Sequence, residues 1–134
     1  MTLAQTPNFL RRALLLDAAI SGATGALLAL GAGFLDSLLG LPAILLREAG
    51  IVLLPFAAAV LWLATRASPP RGAVWAVVAI NGAWAAASLL LLVSPWVAPT
   101  ALGYAFVIAQ ALVVVGFGEL QVIGLRGAAR VAVA

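Results

Sequence analysis

Four apolar stretches decide what this chain can become. They cover about residues 13–34, 42–65, 72–93 and 100–125, and glycine, proline or arginine separates each from the next. A helix needs about 20 apolar residues to cross a hydrocarbon core of about 30 Å, and each stretch reaches that length. The remainder is too short for a soluble domain. The sequence therefore predicts one all-α domain over residues 1–134, an integral membrane four-helix bundle with four transmembrane spans. Pro7 and Asn8 break a short polar arm before the first span. Gly31, Gly33, Asp36, Ser37 and Gly40 mark a turn after it. Pro55 is expected to kink the second span.

The composition narrows the chemistry. Hydrophobic residues make up 66% of the chain and charged residues only 8%, so polar chemistry rests on few side chains. There is no Cys, His or Lys. That removes thiolate and imidazole metal ligands, thiol nucleophiles, imidazole bases and Schiff-base lysines. No Gly-rich phosphate loop or nucleophile–base pair stands out. Neither an enzyme nor a cofactor or metal site is expected. The net charge of +3 comes from seven arginines. They cluster at span ends, where topology accounts for them, so no nucleic-acid partner is expected.

Arginine placement predicts orientation. With the N-terminus cytoplasmic, Arg11, Arg12, Arg66, Arg71, Arg126 and Arg130 lie inside and only Arg47 outside. This is the positive-inside bias, and it places both termini in the cytoplasm. Arg11-Arg12 before an apolar run resembles a signal peptide. Asp17 interrupts that run and its length is that of a full span, so it reads as a retained helix. Trp62, Trp75 and Trp96 sit at interface depths, whereas Trp84 lies deep in the third span. Abundant Ala, Leu and Val, with Arg in place of Lys, point to a bacterial plasma (inner) membrane.

An internal echo recurs at an offset of 60 residues, pairing Ala19-Ile20-Ser21-Gly22-Ala23 with Ala79-Ile80-Asn81-Gly82-Ala83 and Arg11 with Arg71. Eight of 23 positions agree between spans one and three, while spans two and four agree no better than chance. The pattern is that of a duplicated hairpin, a parallel repeat. Ser94-Pro95-Trp96 resembles the tripeptide that names the SPW-repeat membrane proteins. The resemblance covers three residues of 134 and implies no chemistry.

The few polar residues are the candidate sites. Every fourth residue of the first span reads Asp17, Ser21, Gly25, Ala29, Gly33, an acid and then a small-residue docking stripe. This stripe is expected to pack span one against span three. Asp17 is either an acid paired with a nearby arginine or a proton or cation site. Glu119 lies deep in span four, where the helix dipole opposes it, and needs an arginine, a proton or water. Arg47 is expected to pair with Asp36 across the outer turn. Asn81, Trp84 and Ser88 form a polar stripe that either packs helices or lines a ligand cavity. Gln110 and Gln121 share one face of span four, with Glu119, Ala101, Ala105 and Gly116 nearly opposite. Two adhesive faces on one helix imply that one meets another chain.

The expected function is a self-associating or accessory membrane subunit, partnered by the bilayer and by its own copies or a larger complex. The alternative is a small oligomeric transporter or channel using Asp17 or Glu119 for proton or cation coupling. A third reading is lipid or quinone-type ligand binding around Trp84 and Asn81.

Overall fold

The computed structural model describes Thr2 and residues 8–133; Pro7 lies outside the described residues. Four helices follow one another: α1 (Phe9–Leu39), α2 (Ala43–Ala64), α3 (Arg71–Val93) and α4 (Ala101–Val133). All four are long and apolar enough to cross a membrane. The fold is all-α, as the four apolar stretches require.

Two boundaries differ from the sequence reading. Gly31, Gly33, Asp36 and Ser37 do not form a turn; α1 runs through them to Leu39. Only Gly40 leaves the helix, at φ 67°, and its N–H donates to the Asp36 carbonyl. Isolated glycines weaken a helix modestly, and neighbours that pack against it offset that cost. Likewise Arg126 and Arg130 do not form a tail, because α4 continues to Val133. α2 continues through Pro55.

The helices form an uneven ring. α1 packs extensively on α2, α3 packs on α4, and α1 also packs on α4, but α2 and α3 barely touch. The expected close packing of α1 on α3 does not occur; their backbones stay apart across the bundle. Instead the small face of α1 receives α2. A Cβ built on Gly25 would lie 3.0 Å from the Leu53 Cβ and 3.1 Å from the Gly50 carbonyl oxygen. Hairpin partners joined by a short turn meet first, and glycine on both sides lets their backbones approach.

The 60-residue echo has a structural counterpart. Arg11 Nε donates to the Ala64 carbonyl (2.8 Å), and Arg71 Nη1 donates to the Leu125 carbonyl (3.0 Å). Each arginine opens a hairpin and ties down the returning helix of the same hairpin. The equivalence stops at the outer contacts. α4 approaches α1 at Gly103, beside the Leu39 backbone, and at Gly124, where an added Cβ would lie 3.1 Å from the Leu10 Cβ. The α2 positions sixty residues earlier are Ala43 and Ala64. Thus α1–α4 has glycine notches and closes, whereas the corresponding α2–α3 seam has none and stays open.

Thr100 locks the end of the bundle bearing the α1–α2 turn. Its N–H donates to the Leu39 carbonyl (3.0 Å), and its hydroxyl donates to the Leu38 carbonyl (2.8 Å). The same hydroxyl accepts the Gly103 N–H (3.1 Å), satisfying a donor at the start of α4.

Candidate functional site

Two apolar layers fill the bundle. One, towards the turn end, contains Leu28, Leu39, Leu46, Leu92 and Val107. The other, towards the arginine end, contains Leu14, Val60, Leu63, Val74 and Leu125. Between them lies a polar layer. Asp17, Ser21, Asn81 and Gln121 are all buried, with Asp17 and Gln121 at 0% exposure. α2 adds no polar group here; its Phe56 packs against both apolar layers.

The layer is built around one carboxyl group. Ser21 Oγ donates to Asp17 Oδ1 (2.9 Å). Asn81 Nδ2 and Gln121 Nε2 both donate to Asp17 Oδ2, at 2.9 and 2.7 Å. Asn81 Nδ2 also reaches Gln121 Oε1 at 3.3 Å. Three helices therefore meet at Asp17 through side chains. No arginine takes part, contrary to the pairing expected from sequence. Arg11, one to two turns away, is held by the Ala64 carbonyl instead. Neutral donors satisfy the oxygens without bringing a second charge into the core, where desolvating an ion pair costs several kcal/mol per ion.

Glu119 is elsewhere. It is two residues before Gln121, and two residues turn a helix by about 200°. Since Gln121 points inward, Glu119 points out, and it is exposed. It lines a groove of about 420 Å³ on the outside of α3 and α4, with Gly82 and Gly118 nearby. A Cβ on Gly82 or Gly116 would meet nothing within 4 Å. Thus Asp17 and Glu119 do not form one site. The expected Arg47–Asp36 pair does not form either: Arg47 is exposed, and among the described residues neither group has a side-chain partner. An ion pair between solvent-accessible side chains gains too little to fix both in one geometry.

The predicted stripe on α3 splits. Asn81 joins the polar layer. Trp84 Nε1 donates to Gln110 Oε1 at 3.0 Å, tying α3 to α4 one turn further on. Gln110 Nε2 donates to the Val107 carbonyl (2.9 Å), and Ser88 Oγ donates to the Trp84 carbonyl (2.7 Å). Trp84, Ser88 and Gln110 line a cavity of about 240 Å³ behind the α2–α3 seam, to which all four helices contribute. Gly25 sits at the α1–α2 crossing, away from this chemistry.

Sequence reasoning passed over two residues. Gln121 was grouped with Gln110 by helical phase but not linked to Asp17. Ser21 and Asn81 share a depth, each ten residues past the arginine that opens its hairpin. That shared depth was the available signal. Thr24, which lines the same cavity as Trp84 and Gln110, carried no signal, because a lone threonine in an apolar helix has no distinctive neighbours in sequence.

Among the described residues no group of acids could hold a metal ion. The chain matches no family model, no curated protein and no solved structure.

Proposed function

We propose that this chain is a small non-enzymatic subunit of a bacterial inner membrane, with both termini cytoplasmic, that pairs with a second copy through the α3–α4 face. The arginine distribution supports the orientation. The observation behind the pairing is Glu119, an exposed carboxyl group in the membrane-spanning part of α4 with no partner among the described residues. Leaving such a group against lipid is costly, by roughly 3 kcal/mol or more at the centre of a span. A covering surface removes that cost if it brings donors.

A second copy brings them. Arg126 follows Glu119 by seven residues, so it lies within about 20° on the same stripe and about 10 Å along the axis. Its side chain leans back towards the N-terminal end of α4, that is, towards the level of Glu119. In a two-fold interface contacts occur twice, so Glu119 of each copy meets Arg126 of the other. The open positions at Gly82 and Gly116 allow backbones to approach. The transport alternative needs Asp17 or Glu119 to face a path enclosed between protomers. Asp17 lines none of the four cavities described, and Glu119 lines a groove on the outside.

The chain has no cysteine, so introduced thiols report cleanly. Val115→Cys and Ile123→Cys, on the exposed Glu119 face, are expected to form disulfide-linked dimers when native membranes are oxidised. Ile51→Cys, exposed on α2, is expected to stay monomeric. Adding Glu119→Leu is expected to reduce the dimer several-fold, and exchanging the charges (Glu119→Arg with Arg126→Glu) to restore it. Dimers that form equally through Ile51→Cys, or that survive Glu119→Leu unchanged, would remove this reading.

A further inference from the structure

The open seam between α2 and α3 leads into the cavity of about 240 Å³. Along α2 the cavity runs from Leu45 to Leu53, a rise of roughly 12 Å, and Leu41 in the preceding turn extends its lining. Its walls are almost wholly aliphatic and aromatic. At its deep end stand Thr24, Trp84 and Gln110. A second cavity, of about 200 Å³, shares Thr24, Leu53, Trp84, Phe106 and Gln110 with the first and continues towards α1 and α4. The bond from Trp84 to Gln110 lies where the two meet.

We infer that this slot holds one long apolar chain of a membrane lipid, inserted between α2 and α3 with its end beside Thr24 and Trp84. Size and surroundings select this occupant. The seam opens sideways from membrane-spanning helices, so what reaches it is the hydrocarbon of the bilayer. A helix of another protein, about 10 Å across, does not fit a volume equal to about eight water molecules. Water itself needs two to four polar partners, and the lining offers few. An unfilled apolar void forfeits dispersion contacts along its walls, and a flexible chain restores them. The slot is long and narrow, which suits one chain rather than a bulky ring system.

Two sources share this chemistry: a phospholipid acyl chain and the tail of an isoprenoid lipid such as a quinone. Either source places a hydrocarbon terminus beside Thr24 and Trp84, so the two are told apart by mass.

The test is native mass spectrometry of the full chain released from bilayers, at activation that strips loosely attached lipid. The wild type is expected to retain one lipid per chain. The retained mass separates a phospholipid from an isoprenoid lipid, and either result supports the slot. Ala49→Phe and Ala87→Phe fill the cavity from α2 and α3. Each is expected to lower lipid retention by about tenfold, as 1.4 kcal/mol of lost affinity gives. Ala86→Phe, next to Ala87 but outside the lining, is expected to leave retention unchanged. If the Phe variants lose helicity, Ala87→Leu replaces them. A wild-type chain that retains no lipid, or retention equal in slot-filled and control variants, overturns the inference. Because the slot and the Glu119 groove share no lining residue, loss of one leaves the other measurable.

Discussion

Gln121→Met is expected to destabilise the bundle by about 2–3 kcal/mol, as hydrogen bonds to a charged group do when one partner is lost. The change keeps the shape of the side chain but removes the 2.7 Å donor to Asp17 and the oxygen that Asn81 reaches. The magnitude is informative. Neutral side-chain hydrogen bonds between membrane helices average only about 0.6 kcal/mol. A loss near that value would make the polar layer an ordinary packing contact. A loss of the larger size would mean that the layer exists to satisfy a buried carboxylate. The measurement is equilibrium unfolding in mixed micelles, followed by helical circular dichroism as denaturing detergent rises. A second variant fixes the interpretation. With Asp17→Leu, Ser21→Ala, Asn81→Leu and Gln121→Met together, no polar group of the layer is left stranded, and stability is expected to recover to within about 1 kcal/mol of wild type. Failure to recover would assign the loss to packing instead.

The fold was readable because its determinant is local. Span length and apolarity give four helices without knowledge of their neighbours. The inward face of α4 was readable too, since Gln110 and Gln121 are eleven residues apart, close to three whole turns. Glu119 then had to point away. What the sequence hid was which helices meet. The stripe from Asp17 to Gly33 winds about 40° around the helix at each four-residue step, so its members face different neighbours. Asp17 and Ser21 turn to α3 and α4, Gly25 meets α2, and Gly33 meets nothing. Phase within α1 spreads these positions but cannot name the neighbour that each one meets. The ring order depends instead on glycine notches at Gly50, Gly103 and Gly124, each meaningful only once its opposite backbone is known. For the same reason the expected arginine partner of Asp17 was wrong. Arg11 lies near enough in sequence, but the end of α2 brings it a carbonyl that phase and spacing within α1 cannot show.

Those notches set the largest expected effect of a single methyl group. Gly50→Ala places a Cβ against the Ala29 amide nitrogen and 2.6 Å from the Gly25 carbonyl oxygen. Both neighbours are backbone in the middle of a helix, so no side chain can rotate away. α1 and α2 have to move apart along the most extensive helix contact in the bundle. The expected cost is about 3 kcal/mol, at the upper end of overpacking. It opposes the gain of about 0.5–1 kcal/mol that alanine brings to a helix interior. At Gly33 and Gly72 an added Cβ meets nothing within 4 Å, so only the propensity gain remains. Gly33→Ala and Gly72→Ala are therefore expected to be neutral or stabilising by up to about 1 kcal/mol in the same unfolding measurement. The contrast between Gly50 and Gly33 tests helix order directly. If α1 used its whole small-residue stripe against one neighbour, Gly33→Ala would be as damaging as Gly50→Ala. If α2 did not lie on α1 at Gly25, Gly50→Ala would be harmless. A large loss at Gly50 with none at Gly33 is the result required by an α1 whose stripe is divided between two neighbours and the surface.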